Sequence, residues 1–117
     1  MKKRDALPAL AALAQENRLD VFRLLVAAGP DGLPAGSVAD ALRLAPNTLT
    51  FHFDRLREAG LVTVRRDGRQ MIYAAQYDRM NALLGYLTEN CCQGRGEQCA
   101  PAPCAPTVPA ARPKERV

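Results

Sequence analysis

The residues with the most distinctive chemistry are four cysteines confined to the last quarter of the chain: the adjacent pair Cys91-Cys92, then Cys99, then Cys104. Zinc usually takes four ligands in a tetrahedron, supplied by pairs spaced two or more residues apart, and this spacing matches no common zinc pattern. An adjacent pair with a third thiol nearby suits a soft, thiophilic centre, and Gly94 and Gly96 are hinges that would let Cys99 fold back. Metal, metalloid or redox chemistry therefore ranks ahead of a disulfide framework.

That ranking assumes a reducing compartment. The opening stretch, MKKRDALPALAALAQ, has the basic start of a secretory signal, but Asp5, Pro8, Gln15 and Glu16 break its apolar segment. Nothing elsewhere approaches a membrane span, so a cytoplasmic protein with no membrane partner is expected. With 117 residues the chain can hold one compact domain, and 16 Lys+Arg against 12 Asp+Glu leave a net charge of +4, compatible with a nucleic-acid partner without demanding one. The expected division is a folded domain over residues 1–92 and a Cys/Pro-containing tail over 93–117. Five of the nine prolines lie in residues 91–117, and beyond Cys104 too little apolar surface is available to order the tail.

The elements that must position the cysteines are mainly helical. Leu7, Leu10, Leu13 and Ala14 give an apolar stripe over residues 5–15, and Leu19, Phe22, Leu25 and Val26 give another over 17–28 before a dense turn signal. Pro34 suits the first turn of a short helix over 35–42, and Pro46 starts a helix that runs to Ala59 and stops at Gly60. In that helix Leu49, Phe53 and Leu56 should face the core, leaving Thr48, Phe51, His52 and Arg55 on other faces. A short helix, a tight break and a longer helix make a helix-turn-helix pattern. Two β-rich runs around Asp67-Gly68 then predict a hairpin with Arg65, Arg66 and Arg69 at its tip, placed to meet phosphates. A last helix over 77–89 carries Tyr77, Met80, Leu83, Leu84 and Leu87 on one stripe and leads into the cysteine pair. Spare apolar faces on terminal helices predict a symmetric homodimer.

Several segments together resemble the ArsR family of small dimeric winged-helix repressors, which leave their operators when a toxic metal or metalloid binds. The resemblance covers about residues 5–92. It is carried by Asn17-Arg18-Leu19, Val38-Ala39-Asp40-Ala41-Leu42, the run from Pro46 to Phe53, Leu56-Arg57-Glu58-Ala59-Gly60-Leu61-Val62, and Asp67-Gly68-Arg69. The family's Ser-x-His-Leu pattern stands here as Thr50-Phe51-His52-Phe53. What it implies is a mainly α winged helix-turn-helix with a β-hairpin, dimeric through its terminal helices and bound to double-stranded operator DNA. The implied contacts are Asn47, Thr48, Thr50, Phe51, His52, Arg55, Arg65, Arg66 and Arg69.

Two effector sites known in the family have no counterpart: no cysteines stand near residues 33–40, and no histidines among 77–90. The segment from Met80 to Cys92 is instead similar to the arsenite-responsive branch, with a cysteine pair at the end of the last helix. That likeness implies As(III) or Sb(III) held by Cys91, Cys92 and Cys99 in a three-thiolate pyramid, with Cys104 a substitute third ligand. A repressor whose thiols oxidise to a disulfide is the same-fold alternative. A thiol enzyme such as an arsenate reductase is opposed by the lack of a Gly-rich anion cradle beside any cysteine, so no catalytic residue and no catalytic cofactor is assigned.

Overall fold

A computed structural model describes residues 1–94 of the chain. Its elements run α1 (Lys3–Leu13), α2 (Glu16–Ala28), β1 (Leu33–Pro34), α3 (Ala35–Leu42), α4 (Pro46–Glu58), β2 (Val62–Asp67), β3 (Gln70–Ala75) and α5 (Tyr77–Leu87). A single 3-10 turn, Cys91–Gly94, follows. The fold is a winged helix-turn-helix, mainly α with a small antiparallel sheet of strand order β1-β3-β2. One compact unit comprises Met1–Tyr86 and a second begins at Leu87. Among the described residues no helix is long and apolar enough to cross a membrane.

Local chemistry explains where the helices begin and end. The Gln15 side chain caps α2 by accepting the Arg18 backbone N–H at 2.9 Å. Arg43 closes α3 in the left-handed conformation (φ 57°), and the Leu44 N–H reaches back to the Ala39 carbonyl at 3.0 Å. Pro46 then occupies the first turn of α4, where its missing N–H costs no helical hydrogen bond. These two devices set the tight break between α3 and α4.

The hairpin forms one residue out of phase with the expected turn. Asp67 pairs with Gln70, so the two-residue loop is Gly68-Arg69 rather than Asp67-Gly68. Gly68 supplies the positive φ (65°) at the first loop position, as a glycine-first hairpin turn requires. A further strand was not expected. Leu33-Pro34 pairs with Tyr73 and Ile72 of β3, and Pro34, read from sequence as part of a helix's first turn, is the residue preceding α3. Gly32 makes that approach feasible: its φ is 77°, and a Cβ there would collide with the Tyr73 carbonyl.

The core joins these layers through Val21 and Leu25 of α2, Val38 of α3, and Leu49, Phe53 and Leu56 of α4, all essentially inaccessible to water. Phe53 stacks on Tyr73 of β3 with centroids 3.6 Å apart, fastening α4 to the wing. The Tyr77 hydroxyl donates to the Val26 carbonyl at 2.9 Å, tying the start of α5 to the end of α2.

Two apolar stripes differ from expectation. On α1 the buried residues are Ala6, Ala9 and Ala12, while Leu7 is 56% and Leu10 38% exposed. Alanines let α1 lie close to its neighbours, and the leucines are left on the outer side. On α2, Val21 joins Phe22 and Leu25 in the core, and Leu19 remains exposed.

Candidate nucleic-acid interface and cysteine pair

The outward side of α4 carries Asn47, Thr48, Thr50, Phe51 and Arg55, all exposed. Part of their hydrogen-bonding capacity is used locally. The Asn47 carboxamide oxygen accepts the Thr48 N–H at 3.0 Å, and the Thr50 hydroxyl donates to the Pro46 carbonyl at 3.0 Å. The Arg55 guanidinium carbon lies 5.0 Å from the centroid of the Phe51 ring, and its Nη1 is 3.0 Å from Oε1 of Glu58. Phe51, Arg55 and Glu58 thus form a continuous chain along the exposed side of the helix.

His52 departs from this arrangement. Sequence spacing put it on a face away from the core, but it is only 5% exposed. The reason lies in helix geometry: position 52 is three residues after Leu49 and four before Leu56, so it belongs to the same inward arc. Neither ring nitrogen has a hydrogen-bond partner among the described residues. Burial lowers the imidazole pKa below its usual value, and the Arg18 guanidinium lowers it further. Arg18 is itself fixed, its Nε donating to the Ala12 carbonyl at 2.7 Å. As folded, His52 does not present its side chain to a base edge.

The three wing arginines have different settings. Arg65, in β2 rather than at the tip, donates from Nη1 to the Asp31 carbonyl at 3.0 Å and so ties the wing to the loop before β1. Arg66 donates from Nε to the Gly68 carbonyl at 3.2 Å, folding over the turn. Arg69 stands in the turn itself and is exposed. The wing therefore offers Arg69, backed by Arg66, as its outermost cations, while Arg65 braces its base. Asp31 had no signal in sequence, because a backbone carbonyl acceptor leaves no side-chain signature.

The cysteine pair lies in the second unit. Cys91 opens the 3-10 turn, its N–H bonded to the Thr88 carbonyl at 2.9 Å, and Asn90 and Cys92 both adopt left-handed φ, 59° and 55°. The two sulfurs are 3.6 Å apart. That is well beyond a sulfur–sulfur bond of about 2.05 Å, so the pair is not bonded to itself. Cys92 is disulfide-bonded. Cys99 and Cys104 lie outside the described residues. Among the described residues no group of three or more His, Cys, Asp or Glu side chains could hold a metal ion.

Comparison with known proteins follows the same lines. A helix-turn-helix domain profile matches residues 13–65. The uncharacterized HTH-type transcriptional regulator YceK of Bacillus subtilis (strain 168) is 35% identical over 77 residues, 65% of this chain and 76% of that protein. The transcriptional activator HlyU of Vibrio cholerae is 29% identical over 84 residues, 72% of this chain and 75% of the relative. A solved HlyU structure superposes with a TM-score of 0.62 at 28% identity, covering 80% of this chain and 100% of that one. The homodimeric winged helix-turn-helix DNA-binding domain of Mb0332 from Mycobacterium bovis, a possible ArsR-family transcriptional regulator, superposes with a TM-score of 0.60 at 27% identity. It covers 74% of this chain and 81% of that one.

Proposed function

We propose a function from one premise: the chain belongs to the ArsR family of winged helix-turn-helix transcriptional regulators, and it is a DNA-binding regulator. Our reading is a homodimeric repressor that sets α4 of each protomer in the major groove, with Asn47, Thr48, Thr50, Phe51 and Arg55 toward the bases. Arg66 and Arg69 of the wing would neutralise phosphates. Arg65 acts through the wing's position, and His52 through the packing of α4.

The effector in this reading is As(III) or Sb(III). The observation that carries it is the 3.6 Å between the Cys91 and Cys92 sulfurs. With bonds of about 2.3 Å, the length typical of a metal–thiolate bond, two sulfurs on a pyramidal centre sit roughly 3.5 Å apart. Once Cys92 is reduced, arsenous acid and three thiols condense to a tris-thiolate and three waters, with Cys99 or Cys104 as the third ligand. The pair follows α5 in sequence, so in this reading a change at the thiols is passed along the chain to a terminal helix of the proposed dimer. Switching from nearly all bound to nearly all free needs about 5.5 kcal/mol of differential affinity between the two states. The linkage is reciprocal, so operator DNA must weaken arsenite binding by the same factor.

A second reading is favoured by the disulfide at Cys92. Here the trigger is a peroxide: two thiols and one hydrogen peroxide give one disulfide and two waters. One titration separates the two. Under a reductant, arsenite should release wild-type protein from operator DNA in an anisotropy assay, while Cys91→Ser and Cys92→Ser bind DNA normally and fail to respond. Release of those variants by arsenite would remove the pair from the site, and release of the wild type by peroxide once the reductant is removed, but not by arsenite, would select the redox reading.

A further inference from the structure

We propose that Phe51 and Arg55 act as one reading unit that recognises a thymine beside a guanine, the ring seeking the thymine C5-methyl group. The inference rests on the reading of α4 as the major-groove helix. Phe51 is 50% exposed on the outer side of α4, although Leu49, Phe53 and Leu56 of the same helix are buried. Its ring touches the edge of the buried His52 ring, with centroids 5.8 Å apart, and carries the Arg55 guanidinium 5.0 Å from its own centroid. Glu58 holds Arg55 from the other side at 3.0 Å. The ring therefore has a buried neighbour at its base and a cation over its face that Glu58 also contacts.

A phenyl ring has no donor or acceptor with which to read hydrogen-bonding groups. In the major groove the distinctive apolar feature of the four ordinary bases is the C5-methyl of thymine. The guanidinium supplies the complementary chemistry, since two of its N–H groups match O6 and N7 of guanine. Thr50, the other candidate reader at this level, has its hydroxyl turned back on the Pro46 carbonyl. The guanidinium stays 5.0 Å from the ring centroid, so the proposal puts the two contacts on neighbouring base pairs.

The test uses full-length wild-type protein and a duplex enriched by it from a random-sequence library. Each thymine is replaced singly by deoxyuridine, which lacks only the methyl group. Loss of one buried methyl should weaken wild-type binding about fourfold at one thymine in each half-site, next to a guanine. Phe51→Ala should bind the thymine duplex correspondingly less well and show equal affinity for thymine and deoxyuridine at that position. If every thymine can be replaced without effect in the wild type, or if Phe51→Ala keeps the wild-type ratio, the assignment to Phe51 is overturned while DNA reading stands. A sensitive thymine with no neighbouring guanine overturns the role of Arg55. Failure to enrich any sequence overturns both this inference and the DNA-reading function beneath it.

Discussion

His52 brings two polar nitrogens into an interior where neither finds a partner among the described residues. Such a group costs roughly 1–3 kcal/mol in desolvation when left unpaired, so an apolar side chain of similar bulk should be tolerated there. The depressed pKa gives the pH dependence its sign. The folded protein holds the ring neutral, whereas the unfolded chain takes up a proton near pH 6.5. Stability from this group is therefore intact above about pH 6.5 and is lost as pH falls through that value toward the lower folded-state pKa. We expect wild-type protein to be less resistant to urea at pH 5.5 than at pH 7.5, and His52→Leu to show a smaller difference between the two. A His52→Leu variant that is much weaker at both pH values, with the full pH difference kept, would show that the ring makes an attraction that the buried geometry does not reveal.

The wing illustrates how position in an element separates residues of one type. Arg65, bonded to the Asp31 carbonyl, and Arg69, in the turn, are both arginines five residues or fewer apart. Arg69→Ala should weaken binding to many sequences alike and reduce the slope of log affinity against log salt by about 1. Arg65→Ala should lower the stability of the wing and leave that slope closer to wild type. Equal slope changes for both would mean that Arg65 leaves Asp31 when DNA binds. Much of this element was legible beforehand, because Asp67-Gly68 between β-rich runs can hardly be anything but a hairpin. The core side of α4 was legible too, from Leu49, Phe53 and Leu56. What escaped was of three kinds. β1 is two residues long and carries no period; its existence depends on Gly32 allowing close approach to Tyr73. The inner side of α1 was misread because both the alanines and the leucines repeat at helical spacing, and only the room beside α2 and α4 selects the smaller set. His52 was misread because residue type suggested solvent, while its angle around the helix placed it inside.

At the scale of the whole molecule, the surface of the first unit is not uniformly polar. Leu13, Leu19 and Phe22 meet Met80, Leu83 and Leu84 in an open apolar groove, and Leu7 and Leu10 of α1 are exposed nearby in sequence. Isolated exposed leucines are ordinary, but a continuous groove between α2 and α5 is the feature that the proposed dimer would cover. The intramolecular hold on α1 is slight by comparison: it buries Ala6, Ala9 and Ala12, side chains of one methyl each. Helices with so little buried area open at low free-energy cost, and their amides exchange early. On the proposed dimer, Leu7 and Leu10 of α1 gain their apolar partner from a second copy. Amide exchange in α1 should therefore slow as protein concentration rises, whereas exchange in α4 should not; α1 protection independent of concentration would argue against a dimer contact there. The alanine face of α1 has a consequence for regulation as well. If ordering of this helix waits on a partner, the number of molecules per cell becomes an input in its own right, and a cell could tune the response by synthesis rate before any thiol is touched.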